Sequence, residues 1–197
     1  RLNLVRAPIQ RAFCSGVKPV FEVHLASGRR IRATANHPFR TIDGWVPLAD
    51  LRVGAVVAAA RWLPEPVRPT PLDEDELVLL AHLLGDGCVL PNQPVHYTSG
   101  DPACVEVVAT AAARAFGIRP RVVPQKNWWH VYLPSPIPLT HGRPHPITAW
   151  LRHLGAGPRH SWEKQIPAAV FALPNDQLAL FLRHLWATAG TVSRGDR

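Results

Sequence analysis

Four prolines (Pro64, Pro66, Pro69 and Pro71) fall within the ten residues from Trp62 to Pro71. A proline donates no backbone hydrogen bond and pushes the residue before it into extended geometry, so no helix or sheet interior can run through this stretch. The chain is therefore expected to fold as two parts, 1–70 and 71–197, joined by an extended linker. The hydrophobic pattern also changes there. Ahead of the prolines, Val20–Leu25 alternates, Ala26-Ser27-Gly28 forms a turn and Arg30–Thr34 alternates again, which makes a hairpin. Asp43-Gly44 marks another turn, and Val53–Ala60 reads as a further apolar strand. No helical period survives in this part, so it reads as all-β.

Beyond the prolines the period becomes helical. Asp73 is a suitable N-cap with Glu76 in capping-box register, and the residues that follow, Leu77–Leu84, are apolar on most faces. A helix apolar all round is buried, and this one ends at Gly85-Asp86-Gly87. A strand near Val95–Ser99 precedes a helix over Pro102–Phe116, with proline in its first turn and Gly117 at its end. Two strands, Ile118–Val123 and Trp128–Leu133, flank a turn at Gln125–Asn127; helices follow over Ile147–Leu154 and Gln177–Ala187. Aligning Gly87 with Gly190 superposes two helix–Gly–strand units 103 residues apart, an internal repeat. The expected fold class is α+β: a β-rich part followed by an α/β part.

With 47% hydrophobic residues the chain can bury a real core, yet no run approaches the roughly 18 apolar residues of a membrane helix. The opening RLNLVRAPIQR lacks the apolar core of a signal peptide. Three cysteines with no CxxC pair argue against a disulfide framework and for a reducing, cytoplasmic setting. The net charge of +8 is uneven: residues 1–72 carry 11 Lys/Arg against 4 Asp/Glu, and residues 73–197 carry 11 against 10. Eight of the ten histidines lie after residue 72, so mild acid would make that part more cationic.

Thr34 and His37 stand three apart, where an extended segment meets a proline turn. In isolation the pair reads as an unremarkable strand end. Together the two residues could serve an N-to-S or N-to-O acyl shift, the imidazole protonating the leaving nitrogen and the hydroxyl holding the carbonyl or positioning the imidazole. The surrounding GRRIRATANHPFRTIDGWVPLADLRVG resembles the splicing block of inteins, a Hint domain shared with hedgehog-type autoprocessing proteins. That resemblance implies Thr34 and His37 as catalytic residues of autocatalytic protein splicing, with no cofactor, and the flanking host segments (exteins) as partners. Its flavour is closest to the inteins of bacterial replicative DNA helicases.

Leu80-Ala81-His82-Leu83-Leu84-Gly85-Asp86-Gly87 resembles the first LAGLIDADG motif of homing endonucleases. In that family two such helices pack side by side and each presents a carboxylate to a shared metal site. The resemblance implies Asp86 as a catalytic, Mg²⁺-binding residue, since a hard cation wants oxygen ligands. The counterpart of Asp86 in the repeat is Ala189, which cannot ligate a cation, so cleavage is expected to be weak or lost. The bland reading of the motif is a helix end with a solvated aspartate. Arg119, Arg121 and Lys126 on the predicted hairpin, interleaved with Trp128, Trp129 and His130, could meet duplex DNA as the family's sheet does, or the aromatics could be sheet packing. His141 and His145 stand as weak metal candidates.

The parts are thus expected to be an N-terminal Hint segment over 1–70 and an incomplete LAGLIDADG module over 71–197, in a monomer. Two alternatives remain: a non-cleaving, sequence-specific DNA-binding protein, and a cleavage-only Hint domain. The chain begins at Arg1 and ends at Arg197, without the terminal Cys or Ser and His-Asn that splicing requires, and is expected to be a fragment.

Overall fold

The computed structural model describes residues 7–60, 63–140 and 142–190, with the side chain of Ala189 excepted. The expected site residue His141 and the expected second-repeat strand at Thr191-Val192 lie outside the described residues. Two compact units are present, Arg1–Pro64 and Glu65–Arg197.

The first unit holds two antiparallel hairpins. In one, β1 (Val20–His24) pairs with β2 (Arg30–Thr34), with Val20 opposite Thr34 and His24 opposite Arg30. Glu22 on β1 accepts from Arg32 at 3.3 Å and lies 2.9 Å from His24. In the other, β3 (Pro38–Thr41) pairs with β4 (Gly44–Pro47), and a turn of 3₁₀ helix follows at Leu48–Asp50. The strand expected over Val53–Ala60 does not form. A bridge from Thr41 to Val57 and the bond from Ala58 N to Arg40 O at 2.7 Å tie it to β3, and Val53 and Val56 stand exposed. An apolar run becomes a strand only where a free edge is in reach, which sequence alone does not reveal. Among the described residues of this unit only Ala33 and Phe39 are buried hydrophobics.

The second unit has a continuous core. Helix α1 (Glu74–Asp86) is capped by the Asp73 carboxylate, which accepts from Glu76 N at 3.1 Å. Its residues Leu77, Leu79, Leu80 and Ala81 are wholly buried, the outcome of being apolar on every face. After it come β5 (Gly87–Cys88), β6 (His96–Ser99), α2 (Pro102–Phe116), β7 (Arg121–Pro124) and β8 (Trp129–Tyr132). Gly117 closes α2 in the left-handed conformation at φ 62°. The strands form one antiparallel sheet in the order β5-β6-β8-β7. Helix α3 (Pro146–His153) and helix α4 (Asn175–Ala189) complete the unit, α4 lying along α1. No helix among the described residues is long and apolar enough to cross a membrane.

The proline stretch is not a free linker beyond Pro64. Thr70 N donates to Ala172 O at 2.8 Å, and Gln177 clamps Leu72 through both its amide groups, at 3.0 and 2.7 Å. The Glu65 carboxylate accepts from Asn175 N at 3.0 Å. Thr70 and Leu72 keep the N–H groups that their proline neighbours lack, and those donors attach the stretch to the second unit. The division therefore falls after residue 64, not after residue 70. The first protease cuts are expected within residues 59–64, between the anchors at Ala58 and Glu65. Peptide mapping after brief digestion checks this; first cuts within residues 66–72 would contradict it.

Candidate nucleic-acid interface

The sheet of the second unit has two unlike faces, because successive side chains of a strand point to opposite sides. Tyr97 on β6 and Val131 on β8 are wholly buried on the face toward the helices. Their neighbours His96, Thr98, His130 and Tyr132 occupy the outer face, with Arg121 opposite Tyr132. These outer side chains touch one another. The Arg121 guanidinium lies 4.5 Å from the centroid of Tyr132, close enough for cation–π attraction. His130 meets Trp128 edge-to-face at 4.4 Å between ring centroids, Tyr132 at 5.4 Å and His96 at 5.1 Å. Thr98 Oγ1 lies 3.1 Å from His130 Nδ1, and His96 Nδ1 donates to Pro94 O at 3.0 Å. Burial first, then the neighbouring His96, hold the His130 imidazole below its ordinary pKa. The result is a cluster of aromatic rings, imidazoles and one guanidinium on the outer face. Such a surface offers stacking platforms and phosphate donors together.

The inner side holds this face in place. Gly85 on α1 meets α4 so closely that a Cβ there would overlap the Thr188 side chain. One turn earlier His82, 1% exposed, bonds in two directions: Nδ1 to Tyr97 Oη and Nε2 to His184 Nδ1, both at 3.1 Å. Arg183 reaches His184 Nε2 at 3.5 Å, and a guanidinium can only donate. The tautomers follow: His184 Nδ1–H donates to His82 Nε2, and His82 Nδ1–H donates to the Tyr97 oxygen. Both imidazoles are neutral. Burial first, then the electrostatic effect of having the second imidazole of His184 beside it, lower the His82 pKa to about 4. Tyr97 thus links α4, α1 and strand β6, and its phenol is raised well above its ordinary value, first by burial.

The end of α1 carries a second linkage. Lys164 donates to Leu83 O at 3.0 Å, Gly85 O at 3.3 Å and Gly87 O at 2.7 Å. A cation at a helix C-terminus satisfies carbonyls that have no partner within the helix and opposes the negative end of the macrodipole. Asp86 sits at that same negative end. Burial raises its pKa, and the Lys164 charge acts in the opposite direction.

The residues singled out from sequence are dispersed. Thr34 ends β2 and its hydroxyl bonds Asn36 Oδ1 at 2.9 Å; His37 is exposed and packs edge-on against Phe39. The Thr34 hydroxyl bonds Asn36 rather than the imidazole, and His37 N to Thr34 O at 2.9 Å joins the two residues. Asp86 and Ala189 end α1 and α4. Arg119 precedes β7, Arg121 begins it, and Lys126 lies exposed in the β7–β8 turn. His145 caps α3, accepting from Ile147 N at 3.2 Å, and its other ring nitrogen bonds Leu133 O at 2.8 Å. Three carbonyl oxygens at the end of α1 already take the Lys164 ammonium, and no three His, Cys, Asp or Glu side chains gather as a metal site among the described residues. The sequence reading missed Lys164, His96, Tyr132 and His184 as site residues. The alternation in HYTS and WHVY, polar or aromatic residues around one buried position, was the available signal for His96 and Tyr132.

No family model matches the chain. It is 44% identical over 96% of its length to a protein of Rhodothermus marinus named replicative DNA helicase DnaB. Proteins of the same name from Synechocystis and Nostoc are 42% and 39% identical over 97% of the chain. The chain spans about one fifth of the length of these relatives, 20 to 22%. These matches correct the function expected from sequence. The relatives are named as helicases and not as splicing elements or endonucleases, so the splicing roles of Thr34 and His37, the host flanks as partners and the cleavage role of Asp86 are withdrawn.

Two tests address the inner linkages. Because the folded pKa of His82 is lowered, the unfolded chain binds more protons between about 4 and 6.5. Stability is then fully present above 6.5 and falls as pH drops toward 4, by at most about 3 kcal/mol. Urea melts at pH 7 and pH 5 check this: the parental midpoint should fall, and His82→Gln should flatten the dependence. Lys164→Met keeps the stem but strands three carbonyls, and should lower stability at pH 7 by about 1–3 kcal/mol. An unchanged midpoint would show that Lys164 does not hold the end of α1.

Proposed function

We propose that this chain is a DNA-contacting region of a replicative-helicase-like protein, with the outer face of the β5-β6-β8-β7 sheet as the contact surface. The observation that carries the reading is the cluster on that face, with Arg121 over the Tyr132 ring and His96, His130 and Trp128 beside it. The relatives' name, replicative DNA helicase, supports DNA as the ligand. In chemical terms Arg121, and Lys126 at the hairpin tip, would neutralise phosphates, while Trp128 and Tyr132 would offer ring faces to sugar or base. The 197 residues contain no G-x-x-x-x-G-K-[ST] phosphate loop, so we do not assign ATP-driven strand separation to this segment.

Fluorescence anisotropy with a labelled 25-base-pair duplex tests the reading on the full chain. Binding should weaken with salt, and Arg121→Gln should reduce affinity several-fold and lower the salt slope by about 1. Trp128→Ala should weaken binding with the salt slope unchanged. Affinity at 100 mM salt that is indifferent to both substitutions would overturn the reading.

A further inference from the structure

The outer sheet face carries more imidazole than guanidinium, and this bears on how it would hold an anion. His96 and His130 come from adjacent strands, β6 and β8, and their rings meet at 5.1 Å and 88°. His96 spends Nδ1 on Pro94 O at 3.0 Å, and His130 spends Nδ1 on Thr98 Oγ1 at 3.1 Å. Each ring therefore keeps Nε2 uncommitted among the described residues. The four strands of the sheet carry no Asp or Glu. The titratable and charged groups that share the outer face are Cys88 on β5, Tyr132 on β8 and Arg121 on β7, as the strand register places them. Within the sheet the two imidazoles therefore have no anionic partner. A phosphodiester supplies the missing negative charge.

Resting on the DNA-contacting reading above, we propose that His96 and His130 form a proton-linked phosphate contact, so that nucleic-acid affinity rises in mild acid and binding takes up protons. The Nε2–H of each protonated ring donates to a phosphate oxygen. The anion in turn stabilises the imidazolium against the neighbouring His and Arg121. In the absence of the anion, burial and His96 keep His130 below its ordinary pKa, so the uptake accompanies binding. Trp128, edge-on to His130 at 4.4 Å, and Tyr132 at 5.4 Å fix the ring where the phosphate would arrive. The near-neutral balance of residues 73–197, 11 Lys/Arg against 10 Asp/Glu, makes two further positive charges a large relative change.

The test measures duplex affinity at pH 7.5, 6.5 and 5.5 at constant ionic strength, for the full chain and for His96→Gln, His130→Gln and the double variant. Circular dichroism confirms that each is folded at each pH. Glutamine keeps a hydrogen-bonding side chain but cannot take a proton. The parental affinity should rise about tenfold from pH 7.5 to 5.5, as expected for about two added phosphate contacts. The double variant should be flat, each single variant should keep part of the rise, and Arg121→Gln should keep all of it. A flat parental profile with binding that still depends on Arg121 would overturn the proton linkage and leave the DNA-contacting reading standing. A rise that persists in the double variant would place the response elsewhere and also overturn it. Absence of binding at all three values would overturn both.

Discussion

The pairing of α1 with α4 is the constraint on which the second unit depends. Two helices can run this close only if one offers no side chain at the crossing, and Gly85, against Thr188, meets that condition. The close approach then makes room for only one kind of polar group between the helices, one whose hydrogen bonds are complete. His82 and His184 satisfy each other, and Tyr97 takes the remaining donor, so burial leaves no orphaned group along this line. Because Tyr97 belongs to strand β6, the same chain of bonds fixes the sheet. His96 and Thr98, its neighbours on the strand, are thereby turned outward.

The two units differ in what holds them. In the second, buried leucines, valines and Phe181 form one core around α1. In the first, hairpins with two buried hydrophobic side chains among the described residues carry little apolar stabilisation against the cost of ordering. A function that requires a rigid surface is therefore better placed on the second unit. Loop-borne and hairpin-borne residues such as His37 have less to fix them than residues on a sheet backed by α1 and α2.

Much of the local structure was legible because its signals are local. The Asp73 cap, the proline opening and glycine closing of α2, and the turn between β1 and β2 all follow from a few neighbouring residues. What escaped depends on distant partners. Val53–Ala60 has strand-like composition but finds one bridge in place of an edge. The proline stretch looked like a linker, yet Gln177, 105 residues away from Leu72, fastens it. The outer-face cluster arises from register: no spacing in the chain places His96 beside His130, and only the pairing of β6 with β8 does so. Motif resemblance held only in part. It rested on 27 residues of the first unit, on Leu80–Gly87 and on the repeat that ends at Gly190; of what it implied, the link to bacterial replicative DNA helicases is matched by relatives over 96 to 97% of the chain, and the splicing and cleavage activities are not.

The central claim, that the outer sheet face of the second unit is where DNA meets this protein, is tested most directly by mapping the contact residue by residue. Amide and imidazole chemical shifts of the isotope-labelled full chain, followed while an unlabelled duplex is added, give that map. Shifts should concentrate on His96, Thr98, Arg121, Trp128, His130 and Tyr132, with α2 and α3 unmoved. Perturbations gathered on α2, α3 or the first unit, with β6 and β8 silent, would contradict the account.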